Sequence, residues 1–453
     1  MKNYLIVGLS LLIIFFSACD DKLQLTPAQS VDQDLALNSD ANVKAVLVGA
    51  YDKMSQYPLY GGNILLLAEM ASANKEIRWQ GTYTQPREVF NKNIFINNSF
   101  ITELWTEAYS AINTANNVIE AIGVVNSEDQ DQVKGEALFI RGTMFFELTR
   151  FFAQPFTAGN PASNLSIPLI LTPTRGIGEN SYVSRTTVQE TYDQIINDLT
   201  TAEALLPVSN GFFASKSVAA AMLSRVYLQM EKFADARDAA HRVITGSGKS
   251  LNATYAEAFN NTQNSSEDLF AIQVSAQDGS NYMHLFYSIP EFGGRGGDVV
   301  PLPAHLTQYE AGDQRRDLYY VGNEALRVGK WKEENRNLPL IRLAEMYLTR
   351  AEGNFREGTV VGANPVDDIN IIRKRVKLPL KTTITLEEIL KERKLELAHE
   401  GHFLHDVKRT RGSIVDNSSA DVYHFDDPKL VFPIPQREMD ANPNLIQNEG
   451  YGS

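Results

Sequence analysis

Cysteine is almost missing: the 453-residue chain has one, Cys19. Disulfides therefore cannot hold the body together, and an apolar core must, which a chain of this length can supply. Positive charge is also short, with 42 Lys and Arg against 55 Asp and Glu and a net charge of −13. That excludes the basic footprint of a nucleic-acid binder and a polybasic membrane patch. Past Phe16 no apolar run reaches the roughly 18 residues that cross a bilayer. Motifs of nucleophilic and phosphate chemistry are missing as well. There is no Gly-x-Ser-x-Gly elbow, and residues 293–298 (GGRGGD) lack the Gly-Lys-Ser/Thr ending of a phosphate loop and read as a mobile loop. With 55 acidic residues, some carboxylate pair at glycosidase spacing is guaranteed, so such pairs discriminate nothing.

What is present starts at residue 1. Lys2 precedes an apolar run over residues 4–16, then Ser17-Ala18-Cys19. This reads as an export signal over residues 1–18 and not a transmembrane helix. The small residues before Cys19 resemble a lipobox, in which the cysteine is diacylated and becomes the mature N-terminus, anchoring the protein by lipid. Residues 19–37 are polar, contain Pro27, and read as a tether. Asp20-Asp21-Lys22 resembles the acidic tag of surface-exported lipoproteins.

From Asn38 onward the apolar pattern is helical. Val43, Val46, Leu47, Ala50, Tyr51 and Met54 recur at three- and four-residue steps, ended by Pro58 and Gly61-Gly62. ILLLAEMAS (64–72) is apolar and of open type. Two long helices follow, one with a stripe from Ile101 to Ile122 that includes Trp105, the other from Val133 to Phe152 and apolar nearly all round, hence buried. Thr187 with Glu190, and Thr385 with Glu388, form capping boxes. Residues 217–244 are similar to a tetratricopeptide helix pair, and residues 340–355, with Pro339 at the start, predict the first helix of another whose partner is 366–375. Between them, residues 245–337 form a loop-rich insertion in which DLFAIQVS (268–275) suits a strand. A last long helix is expected through ERKLELAHEGHFLHDVKR, and then a proline-broken tail.

GEALFIRGTMFFELTRFF, IPLIL, LAEMYLTRAE, ERKLELAHEGHFLHDVKRT and FPIPQREMDANPNLIQNEGY together resemble the SusD/RagB family over nearly the whole chain. Glu392, Arg393, Glu396, Leu397, Glu400, Gly401, Phe403, Asp406 and Arg409 match the family pattern. The resemblance implies a mostly α fold: tetratricopeptide-type helix pairs, a loop-rich ligand-binding face and little β. The SusD-like body would run over 38–453, with an N-terminal part at 38–210 and a SusD/RagB part from about 211. It also implies an outer-membrane lipoprotein facing outward, without catalytic activity or cofactor. Such a protein captures nutrient oligomers and caps a SusC-like TonB-dependent transporter. Glycans are the commonest cargo and some members take peptides. A surface glycosidase and a purely structural adaptor are the readings from other classes.

Sugar rings stack their C–H faces on aromatic rings while Arg, Asn and Gln hydrogen-bond the hydroxyls. Two segments offer that mixture: Asn74, Arg78, Trp79 and Tyr83 in one, and Asn281, Tyr282, His284, Tyr287, Phe292 and Arg295 in the other. Each aromatic has local packing as its alternative role, which is the expectation for Trp105 and Trp331. His399, Glu400, His402, His405 and Asp406 lack the His-Glu-x-x-His spacing of zinc proteases, although 399, 402 and 406 would share a helical face. The alternative is that the charged row Glu392, Arg393, Glu396, Glu400 and Arg409 pairs internally and holds helices together.

Overall fold

Ser39 begins the first helix by accepting the Asn42 N–H, and Val43, Leu47, Ala50 and Met54 of Asp40–Ser55 turn inward. The structure, a computed structural model, describes residues 37–176, 178, 181–277, 281–416 and 419–452. The expected signal, Cys19 and all but the last residue of the tether lie outside these. The 64–72 segment proves to be a helix, Asn63–Ala71, with every residue buried. Its entry needs Gly62: at φ 146°, an added Cβ would come within 2.4 Å of the Tyr282 Cβ. The two long helices are Ser99–Glu120 and Gln130–Phe152. The second is central, with Phe139, Phe145, Phe146, Phe151 and Phe152 all fully buried.

Local signals placed the next elements. Both capping boxes form, starting Val188–Leu205 and Leu386–Glu396. Lys216–Gln229 and Phe233–Gly246 make the first expected helix pair, Leu343–Glu357 and Pro365–Arg375 the second. The two pairs pack directly on each other through Phe233–Gly246 and Leu343–Glu357, across the whole insertion.

Strand content is small. The strands are β1 (Ile77–Trp79), β2 (Asp268–Ile272), β3 (Val299–Pro301), β4 (Tyr319–Gly322), β5 (Ala325–Val328), β6 (Leu338–Arg342), β7 (Ser413–Val415) and β8 (Val422–His424). They form four antiparallel two-stranded ladders: β1–β3, β2–β6, β4–β5 and β7–β8. The fold is thus mostly α with little β.

Two expectations need correcting. Residues 340–342 are strand, because β6 pairs with β2 (Ile341 opposite Phe270), so the helix starts at Leu343 and Pro339 lies within the ladder. The C-terminal helix is not continuous: Leu386–Glu396 and Phe403–Arg409 are separated by a turn in which His399 and Gly401 take φ of 64° and 77°. The tail also carries a short helix, Gln436–Ala441. One apolar core runs from Val43 to Leu445, with a satellite cluster around Leu348, Ile369 and Ile389.

The charged row does pair internally. Arg342 binds Glu267, Glu396 and Glu400, with Nη1 2.6 Å from Glu267 Oε1. Arg315 binds Asp313 and Glu392, Arg393 binds Glu345 and Asp406, and Arg409 binds Glu352 and Asp406. Trp105 packs edge-on against Phe152, and the Trp331 indole donates to the His399 carbonyl at 2.9 Å, so both are buried framework.

Candidate functional site

The two aromatic-polar segments are joined by backbone pairing. β1 runs antiparallel to β3 with Ile77 opposite Pro301 and Trp79 opposite Val299. The ladder is extended by Gln80 N–H to the Asp298 carbonyl at 2.8 Å and Leu302 N–H to the Glu76 carbonyl at 2.7 Å. Strand alternation turns Ile77 and Trp79 inward and Arg78 out. Residues 293–298 are not a loose loop: Gly294, Arg295 and Gly297 N–H groups donate to the carbonyls of Ile289, Leu285 and Ser288 at 3.1, 3.0 and 2.8 Å.

Around this junction lies a cluster of rings with Phe286 at its hub. Asn281 accepts the His284 N–H at 2.8 Å and so starts the helix Tyr282–Tyr287, which presents Tyr282 and Phe286. Tyr282 stacks on Tyr57 with centroids 4.5 Å apart and planes at 23°. It also meets Phe100 at 5.7 Å and the edge of Phe286 at 5.2 Å. Tyr83 packs edge-on to Phe286 at 5.6 Å, and the Arg295 guanidinium lies 4.4 Å from the Tyr83 ring centre. Tyr57 and Tyr83 are each 38% exposed, Tyr282 is half-buried, and Phe286 is fully enclosed. The result is a rigid aromatic floor with two open tyrosines. Glu103 sits at the Tyr57 phenol, and burial followed by this carboxylate raises the phenol's pKa.

Of the residues expected from sequence, Tyr83, Tyr282 and Arg295 are gathered on this floor, with Arg78 exposed at its rim. Trp79 is only 6% exposed and packs under Phe286 at 5.6 Å, so it supports the floor and offers no open face. Asn281 is a buried cap, and Tyr287 is fully buried against the edge of His399. Phe292 packs with Tyr320 and under the Lys332 ammonium, 3.9 Å from its ring centre. Tyr57, Phe100 and Phe286 were not anticipated. Tyr57 lies in QYPLYGG, which sequence marks only as a helix end.

Asn74 belongs to a different feature. Its amide donates to Glu76 at 3.0 Å and edges a cavity of about 30 Å³, also lined by Glu69, His305, Lys394 and His399. That is room for one water. Burial raises Glu69 to about 7. Burial also acts upward on Glu76, but His305 and Lys394 outweigh it and bring Glu76 to about 2. The helical face that would gather His399, His402 and Asp406 is broken by the turn at Gly401. Glu400 is taken by Lys330 and Arg342, and Asp406 by Arg393 and Arg409. Among the described residues no group of three or more His, Cys, Asp or Glu is placed to hold a metal ion. Nor is any helix among them long and apolar enough to cross a membrane.

Two family models match the chain. Residues 23–228 match one described as starch-binding and associating with the outer membrane, and residues 319–451 match the SusD family. Residues 229–318, which carry Tyr282 and Arg295, lie between the matches. A SusD-like protein of Formosa agariphila is 26% identical over 100% of both chains. The starch-binding protein SusD of Bacteroides thetaiotaomicron is 34% identical over 25% of this chain and 22% of its own. A solved putative sugar binding protein from Bacteroides vulgatus superposes with a TM-score of 0.82 at 26% identity, covering 92% of this chain and 100% of that one.

Proposed function

The chain belongs to the SusD family, and from that premise we propose that it is a non-enzymatic glycan-binding lipoprotein. Acyl chains on Cys19 moor it to the outer membrane, facing outward, and it passes bound oligomers to a SusC-like TonB-dependent transporter. The relatives' names support the cargo class: one is called starch-binding and one a putative sugar binding protein. The observation that carries the reading is the pair of open tyrosines, Tyr57 and Tyr83, held rigid around Tyr282 and Phe286 with the Arg295 guanidinium beside them. Rigid rings lose little entropy on stacking and tolerate variation in sugar identity. Tyr57, Tyr83 and Tyr282 take the sugar faces and Arg295 the hydroxyls. Trp79 packs beneath the floor and Asn281 caps the helix that carries Tyr282 and Phe286, while Tyr287, Phe292 and Asn74 stand apart from it.

Calorimetric titration with a panel of soluble polysaccharides tests this. At least one is expected to bind, and Tyr57→Ala and Tyr83→Ala are each expected to weaken it about tenfold, roughly the worth of one stacked ring, at unchanged melting temperature. Peptide binding with no polysaccharide bound would overturn the cargo class. Incorporation of labelled palmitate, lost in Cys19→Ser, checks the anchor.

A further inference from the structure

The rim of the platform on the β1 side carries a concentration of positive charge in a chain of net charge −13. Four arginines converge where residues 80–82 meet 295–298. Arg295 reaches Thr82 and pairs with Asp298 at 2.7 Å. Arg87, exposed, donates to the Gly81 carbonyl. Arg78, exposed, donates to Gln80 at 3.3 Å, and the Gln80 amide in turn donates to the Gly297 carbonyl at 3.1 Å. Behind them Arg327, 1% exposed, donates to the same Gly297 carbonyl and to that of Gly322 at 2.9 Å.

Among the described residues Asp298 is the one carboxylate paired with these four. Arg78, Arg87 and Arg327 form no ion pair among the described residues, whereas the other buried guanidiniums around Glu267, Glu392, Glu396 and Glu400 are all matched to acids. Glu88, on the same short helix as Arg87, is turned to the Asn98 amide at 2.7 Å, and Glu103 lies across the floor by Tyr57. Burial is the main cause that holds Arg327 below the ordinary guanidinium range, and the charge of Arg78 adds to it against the upward pull of Tyr320 and Asp298. Carbonyl oxygens accept hydrogen bonds from these guanidiniums without neutralising them. An arriving anion does both, through the planar fork that suits carboxylate and sulfate oxygens.

We infer that this rim is a subsite for the anionic substituent of an acidic glycan, a uronate carboxylate or a sulfate ester, seated beside sugar rings on the tyrosine floor. The inference rests on the glycan-binding reading above and narrows it. A chain of net charge −13 repels a polyanion at long range, so capture depends on this local reversal of sign and weakens as salt screens it.

The test titrates the protein with polygalacturonate, a sulfated galactan and a neutral glucan of matched length, at 50 and 300 mM salt. One acidic polymer is expected to bind at least tenfold tighter than the glucan at low salt, and which one it is separates carboxylate from sulfate. In Arg78→Gln/Arg87→Gln that preference is expected to shrink to within about twofold, together with its salt dependence, at unchanged melting temperature. Glucan binding equal to or tighter than both acidic polymers, or a preference indifferent to the substitutions, overturns the acidic subsite and leaves the glycan reading standing. Failure of all three polymers to bind overturns the acidic subsite, and peptide binding with no polysaccharide bound overturns the glycan reading as well.

Discussion

Glu69 shows what burial does to a single carboxyl here. Its Oε1 accepts the Gly401 N–H at 2.8 Å, and its Oε2 lies 3.8 Å from His399 Nδ1, with Lys330, Glu400 and Glu76 as the nearby charges. Burial is the largest influence and raises it to about 7, from 4.5 when exposed. Between those values the folded protein keeps a proton that the unfolded chain has released. The stability that protonated Glu69 contributes is therefore complete below about pH 4.5 and is lost as pH rises through about 7. The loss is about 3 kcal/mol. His305 and His399, whose values burial lowers, act with the opposite sign over part of that window, so a single profile mixes the two. The difference between wild type and Glu69→Gln separates them. In urea unfolding the wild type is expected to lose about 3 kcal/mol relative to the variant between pH 4.5 and pH 8; a constant difference would refute the assignment.

Among elements, the C-terminal helix is the instructive one. Residues 386–409 are rich in helix formers, and only Gly401 hints at an interruption. The turn is imposed from outside. Arg342 holds Glu396 and Glu400, Glu69 takes the Gly401 N–H, and the Leu65 Cα lies 2.9 Å from where a Gly401 Cβ would sit. Gly401→Ala meets both that contact and a left-handed backbone, and is expected to cost about 1–3 kcal/mol in denaturant unfolding. Elements with local causes were legible in the sequence: both capping boxes, the Ser99–Glu120 stripe and the alanine-lined pair at Lys216–Gln229 and Phe233–Gly246. β6 was not, because Leu338–Arg342 is a strand only through its partner β2, far away in the chain. The site divides the same way. Composition singled out the segments holding Tyr83, Tyr282 and Arg295. Nothing in the sequence near Tyr57 or Phe286 says that both pack on Tyr282, and burial of Trp79 and Tyr287 is set by neighbours that sequence does not display.

At the scale of the molecule the N-terminal and C-terminal parts of the described chain share one core. The tail closes on the central helix: Phe432 N–H donates to the Phe151 carbonyl at 2.8 Å, and the Asn448 amide to that of Phe152 at 2.8 Å. Arg185 donates to Ile446 and Asn448, each at 2.8 Å. With contacts of this kind between the stretches 38–210 and 211–453, neither has a complete interior alone. Calorimetry is expected to show one unfolding transition with equal calorimetric and van't Hoff enthalpies. Two resolved transitions, or either stretch folding on its own, would contradict this.

The pairing of β1 with β3 sets a condition on when the protein can work. Tyr83 is seated by Phe286 and the Arg295 guanidinium, some two hundred positions downstream, so the aromatic floor does not exist in a nascent or partly assembled chain. On the glycan-binding reading proposed above, a chain in which β1 and β3 have not yet paired lacks the assembled tyrosine floor, and glycan binding would report that folding is finished.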